Sequence, residues 1–302
     1  MTGGGPGARQ HAALDPRSLL FVPGSRPDMI AKAVRCGADA VAVDLEDAVA
    51  PAGKVAARTA AMAAVAALDV APATAVLIRV NPAGSPWFAD DVEAAAASPA
   101  RGVVLPKLSR SSDLDALSDL LTPRGRRDLE VVVGIETALG VADARELLAG
   151  AAEQDRGAGA RAGAVYFGAE DFIADMGGGR TVAGAEVHYA RSRVCLAARL
   201  AGVPAIDQAV VTVADDERFL AECQEAAALG YTGKICIHPR QVTLANRAFT
   251  PGEPELAHAR AVIEAAAGGV GVVDGEMVDA AHVRAAERVL ARSRQARKVA
   301  AP

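Results

Sequence analysis

Eight short apolar runs recur along the chain at near-regular intervals, each followed by an alanine- and leucine-rich stretch with helical spacing. They are SLLFVP from Ser18, AVAVDLE from Ala40, AVLIRVN from Ala75, GVVLPK from Gly102, EVVVGIE from Glu130, AVYFG from Ala164, PAIDQ from Pro204 and GKICIHP from Gly233. Most are continuous rather than alternating, the pattern of parallel strands covered on both faces. The helices between them carry ordinary start and stop signals. PDMIAKAVRCG puts Pro27 in a first turn and Gly37 at a stop, and DDERFLAECQEAAALG follows the same logic. Eight strand–helix repeats over about 240 residues fit an α/β protein of the (β/α)8 TIM-barrel type better than a five- or six-stranded doubly wound sheet. Hydrophobic residues make up 51% but aromatics only 3%, which suits small-residue helices packed on a Val/Ile/Leu sheet rather than a β-sandwich.

The barrel is expected over residues 18–250. Residues 1–17, MTGGGPGARQHAALDPR, have no apolar core of a signal peptide and are expected to be a disordered tail. No run approaches the roughly 18 apolar residues of a membrane span, so a cytoplasmic protein without membrane partners is expected. After IHPRQV the pattern changes. FTPGEPEL reads as a connector, and residues 255–298 as two helices broken by GGVGVVDGEMVD, so residues 251–302 are expected to form a C-terminal helical lid or subunit-contact arm. The formal charge of -5, from 32 basic and 37 acidic residues spread along the chain, leaves no footprint for nucleic acid. Cys36, Cys195, Cys223 and Cys236 lie far apart, with neither a disulfide framework nor zinc-ligand spacing.

In a barrel of this kind chemistry gathers where strands end at the C-terminal rim. Here strand two ends in Asp44, Glu46 and Asp47, strand three in Arg79 and Asn81, strand four in Lys107, strand five in Glu136, and strand six in Glu170 and Asp171. Carboxylates with almost no histidine suit a hard cation such as Mg2+, and Glu136 and Asp171 on neighbouring strands are the natural pair. Taken singly, each acid could instead cap the helix that follows it, Asp171 included. An arginine at a strand's end either pairs with Glu46 or Asp47 or carries a substrate anion, and Arg79 is open to both readings.

SLLFVPGSRPDMIAKA, ADAVAVDLEDAV, LIRVN, VVLPK, GIET, FGAEDFIADMGG and GKICIHPRQV, in this order over Ser18 to Asp279, resemble the citrate lyase β-subunit-like branch of the HpcH/HpaI aldolase and citrate lyase superfamily. The resemblance implies a Mg2+-dependent lyase that cleaves or forms a carbon–carbon bond in a 3-hydroxyacyl-CoA such as malyl-, citramalyl- or citryl-CoA, giving a 2-oxo acid and an acyl-CoA. It implies metal ligands at Glu136 and Asp171, and a substrate arginine at Arg79. Asp279, at the end of DGEMVD, would be an acid/base group delivered to a neighbouring subunit in a trimer or hexamer; a helix-capping role before AAHVRAAERVL is the alternative. Glu46 and Asp47 join Arg79 and Asp279 as catalytic candidates, and they stand where the pyruvate-aldolase branch carries Glu-His, which favours the thioester branch. Phe21, Arg26 and Lys32 would contact coenzyme A, although Arg26 and Lys32 could equally be a solvated helix face. Gly177 to Gly179 would let the next loop pass close to the site, and His238 would be structural. Two other readings stay open: a citryl-acyl-carrier-protein lyase β subunit within a citrate lyase complex, and a barrel without catalytic function.

Overall fold

The computed structural model describes residues 14–69, 74–126, 128–153 and 162–300. Eight strands, β1 (Ser18–Pro23), β2 (Ala40–Asp44), β3 (Ala75–Arg79), β4 (Gly102–Leu105), β5 (Glu130–Ile135), β6 (Ala162–Phe167), β7 (Ala205–Asp207) and β8 (Gly233–Cys236), form a closed barrel in sequence order. Every neighbouring pair is parallel, and β8 closes on β1 with Ile235 beside Leu19. This is the (β/α)8 TIM barrel.

The continuous apolar runs serve two cores at once, because successive side chains of a strand point to opposite faces. Leu19, Ala42, Leu77, Val104, Val132 and Ile206 fill the interior. Their neighbours Leu20, Val43, Ile78, Val103 and Val131 pack outward against the helices. Each such Val, Leu or Ile contributes about 1.5–3 kcal/mol on full burial.

On the outer wall, Asp207 at the end of β7 is fully buried. It accepts from Lys234 Nζ at 2.6 Å and from Arg191 Nε and Nη2 at 3.0 Å each. This cluster ties β7 and β8 to the helix Ala185–Ala201 behind the barrel.

Two expectations need correction. Residues 14–17 are not a disordered tail. Leu14 is 5% exposed within the interior core, Arg17 forks onto Asp39, and the Arg17 carbonyl accepts from the Lys234 N–H at 3.0 Å. Gly233 admits this segment, because a Cβ there would lie 1.9 Å from the Pro16 carbonyl oxygen. Residues 1–13 of the expected tail lie outside the described residues. The segment between the two C-terminal helices is not merely a break. Between Glu253–Ala265 and Ala280–Ala300, strands β9 (Gly271–Val273) and β10 (Glu276–Val278) pair antiparallel. Asp274 and Gly275 both take positive φ, 53° and 84°, as the favoured two-residue hairpin turn requires. This C-terminal unit has its own small core, with Ala259, Val262, Val278 and Ala286 buried together.

Candidate active site at the barrel mouth

The C-terminal ends of β1, β2, β3, β5 and β6 open on one cavity of about 330 Å³, whose lining includes Phe21, Asp44, Asp47, Arg79, Glu136 and Asp171. Register accounts for the first contact: Asp44 and Arg79 are direct partners across β2 and β3. The Asp44 carboxylate accepts from Arg79 Nε at 2.8 Å and Nη2 at 2.6 Å, and also from the Glu46 N–H at 2.8 Å and the Ala48 N–H at 3.2 Å. Arg79 Nη1 lies 3.1 Å from Glu46, and the guanidinium sits 4.7 Å from the centroid of the Phe21 ring. Burial opposes the Arg79 charge, but Asp44 outweighs it and raises the guanidinium well above its ordinary range. Arg79 is therefore ion-paired to Asp44 and Glu46, and it also lines the cavity.

The strand-two loop is held from behind by Lys54. Its buried ammonium donates to the carbonyls of Leu45 at 2.9 Å and Glu46 at 2.7 Å and to Asn81 Oδ1 at 2.6 Å. Asn81 Nδ2 in turn donates to Asp91 at 2.6 Å.

Glu136 follows β5 directly and is almost without exposure, at 1%. Its Oε1 accepts from the Tyr166 hydroxyl at 2.6 Å and the Lys107 N–H at 3.0 Å. Two glycines make room for it. A Cβ at Gly168 would lie 2.4 Å from Oε2, and one at Gly134, which is paired with Tyr166 across β5 and β6, would lie 2.4 Å from Oε1. Burial, more than the neighbouring carboxylates, pushes the Glu136 carboxyl up to about 7 against the pull of Arg79. Burial also raises Glu46, with Arg79 and Lys107 pulling it back.

Asp171 lies in the first turn of the helix Ala169–Asp175, whose N-cap, Gly168, has no side-chain cap. The helix-capping reading of Asp171 is therefore not what the structure shows. Its carboxylate faces the cavity and meets Lys107 Nζ at 3.1 Å, while Glu170 reaches Arg180 at 3.6 Å.

No group of three or more His, Cys, Asp or Glu side chains among the described residues forms a complete metal cage. The donors nonetheless fit Mg2+, which takes oxygen ligands, keeps several waters and is commonly held by one or two carboxylates plus substrate. Glu136 and Asp171 face one cavity, and the glycine cradle shapes the space around the first of them. Around the mouth Asp44, Glu46, Asp47, Glu136 and Asp171 outnumber the cations Arg79 and Lys107, an excess of negative charge that a divalent cation offsets.

Other expected residues sit elsewhere. Asp279 does not line this cavity. It follows β10, accepts from the Ala281 N–H at 2.9 Å and pairs with His282 at 2.8 Å at the start of the last helix, so within one chain it is a helix cap. Arg26 and Lys32 are exposed and both pair with Asp28, at 3.1 Å and 3.9 Å. Phe21 is part of the barrel mouth, beneath Arg79, rather than out on the helix face with them. Gly177 and Gly178 end the helix Ala169–Asp175, with Gly178 N–H on the Ile173 carbonyl at 2.9 Å, and no glycine of 177–179 lines the cavity. His238 is structural, its Nδ1 accepting from the Arg240 N–H at 3.1 Å. The four cysteines are free. Sequence reasoning missed Tyr166 and Lys54. Tyr166 had left a signal, a hydroxyl in an otherwise apolar strand, AGAVYF, beside a glycine-bearing one.

A family model for HpcH/HpaI aldolase/citrate lyase matches residues 17–239. A citrate lyase subunit beta-like protein of Deinococcus radiodurans is 44% identical over 272 residues, covering 87% of this chain and 92% of the relative. An L-malyl-CoA/beta-methylmalyl-CoA lyase of Cereibacter sphaeroides is 34% identical over 316 residues, covering 94% and 96%. Among solved structures, the protein CitE of Mycobacterium tuberculosis in complex with magnesium, acetoacetate and coenzyme A superposes with a TM-score of 0.78 at 33% identity, over 93% of this chain and 99% of that one.

Proposed function

The chain belongs to the HpcH/HpaI aldolase/citrate lyase family, and from that membership we propose that it is a Mg2+-dependent carbon–carbon lyase acting on a 3-hydroxyacyl-CoA. The observation that carries this reading is the convergence of Glu136, Asp171 and Arg79 on one cavity at the C-terminal mouth of the barrel. Glu136 and Asp171 would hold the Mg2+, which when bound supplies Lewis-acid polarisation of the oxygens of a 2-oxo acid.

The protein's own groups do the rest. Arg79, held by the Asp44 fork, the Glu46 contact at Nη1 and the Phe21 ring, lines the cavity and would stabilise the developing oxyanion or the substrate carboxylate with its charge. Glu46 bridges Arg79 and Lys107 and fixes their spacing. Asp47, half-exposed and lining the cavity, would accept the hydroxyl proton as the bond between C2 and C3 breaks. The thioester enolate then needs a proton at carbon. Asp279 would deliver it from a second copy, since its own hairpin does not bring it to its own cavity, and the protein would act as a homo-oligomer, a trimer or hexamer, in the cytoplasm. Residues 18–250 would be the catalytic barrel and residues 251–302 the arm that makes this contact. No described helix is long and apolar enough to cross a membrane. Arg26 and Lys32, exposed on the helix that follows cavity-lining Pro23, would meet the phosphates of coenzyme A.

The test is release of 2-oxo acid from malyl-, citramalyl-, β-methylmalyl- and citryl-CoA by the purified protein with Mg2+, beside Asp171→Ala. Metal-dependent release from one thioester, lost in the variant, supports the reading. No release from any of them by folded protein would overturn it.

A further inference from the structure

Lys107 follows β4 with a φ of 53°, the left-handed region that a residue with a Cβ rarely adopts. The strain is held in place on both sides. The Lys107 N–H donates to Glu136 Oε1 at 3.0 Å, the Leu108 N–H donates to the Gly134 carbonyl at 2.8 Å, and Ser109 Oγ donates to the Lys107 carbonyl at 3.0 Å. Such outliers persist where surrounding structure over-determines them, and they gather at functional sites. From this backbone the side chain turns into the carboxylate cluster. Its ammonium lies 2.8 Å from Glu46, 3.1 Å from Asp171 and 3.2 Å from Asp47. One residue thus touches both candidate metal ligands, Glu136 through its main chain and Asp171 through its charge.

We propose that Lys107 is the positioning residue of the cation site, with its ammonium acting as a tethered competitor that a divalent cation must displace from Asp171. This inference rests on the reading of Glu136 and Asp171 as metal ligands. This ammonium, touching Glu46, Asp47 and Asp171 together, keeps these like charges close in the metal-free protein. The same positive charge repels a divalent ion entering the cluster, so it weakens metal binding while it preserves the geometry for it. The two roles are separable because they use different atoms. Lys107→Gly keeps the left-handed backbone and the N–H to Glu136 but loses the ammonium, and Lys107→Gln loses the charge while keeping most of the side chain.

The experiment is titration of the full-length protein with Mn2+, followed by electron paramagnetic resonance without substrate, together with Tm with and without Mg2+. Lys107→Gln and Lys107→Gly are expected to bind Mn2+ about tenfold tighter than wild type or more. Their metal-free Tm is expected to fall and their Mg2+-induced rise in Tm to grow, whereas Lys107→Arg stays close to wild type. Equal or weaker Mn2+ binding in the two charge-removing variants, with wild-type protein binding the metal, would overturn this inference alone. Absence of Mn2+ binding from wild type and variants alike, in folded protein, would overturn the metal reading and this inference with it.

Discussion

Gly168→Ala tests whether the carboxylate of Glu136 is boxed as described. The added Cβ would lie 2.4 Å from Oε2, 2.6 Å from Cγ and 2.8 Å from Cδ of Glu136, where ordinary contact begins near 3.4 Å. Relief needs a displacement of about 1 Å in a side chain that is pinned by the Tyr166 hydroxyl and the Lys107 N–H. Overpacking of this kind costs about 1–3 kcal/mol. Pulling Glu136 off its buried donors adds about 1–3 kcal/mol for each one left unpaired. With one donor left unpaired, the combined loss of about 2–6 kcal/mol corresponds to a fall in Tm of order 10 °C for a domain of this size. If Glu136 holds the metal as proposed, a misplacement of about 1 Å is also expected to lower turnover about 100-fold, with weaker Mn2+ binding. Gly178→Ala is the control, because its Cβ would meet nothing closer than the Ile173 carbonyl oxygen at 3.7 Å, and it should change stability by less than about 0.5 kcal/mol. Calorimetry and metal titration read both variants. Wild-type Tm and metal affinity in Gly168→Ala would refute the argument that this glycine makes the room Glu136 occupies.

Metal affinity should fall as pH drops below about 7, because the Glu136 carboxyl, raised by burial to about 7, then holds a proton that competes with the cation. In the metal-free protein the sign is the reverse: the raised carboxyl contributes stability that is present at acid pH and lost as pH climbs from its ordinary 4.5 towards 7, a slope that Glu136→Gln should flatten in pH-dependent melting. Asp207→Ala should lower stability by about 3–5 kcal/mol, since Lys234 and Arg191 would be left buried with less than their full charge partners, while the cavity residues keep their places. Asp279→Asn should preserve the helix cap and Tm but lower turnover about 100-fold or more if the group donates a proton, and unchanged turnover would remove it from the mechanism. Arg26→Ala with Lys32→Ala should raise KM for the thioester several-fold at unchanged Tm, which steady-state kinetics on coenzyme A and pantetheine thioesters would separate.

The eight strands and their order were legible because each is specified locally, by a short apolar run bounded by turn residues, and a barrel adds only that neighbours in sequence become neighbours in space. The candidate ligands were legible for the same reason, as charged residues placed where strands end. Asp274-Gly275 also carried a local hairpin signal, yet a helical reading of its surroundings hid it. Residues 14–17 looked like tail because their partners, Asp39 and Gly233, stand far along the chain. Tertiary structure alone decided which charges meet. It set Arg79 on Asp44 rather than on Asp47, placed the Lys107 ammonium among acids from two other strand ends, and opened room for Glu136 with glycines from its own strand and the next. It also left Asp279 outside the cavity of its own chain. The physical reason is range. Propensity and periodicity act over a few residues, whereas the convergence of side chains depends on the register of strands around a closed barrel, which the sequence encodes only through all its packing contacts together.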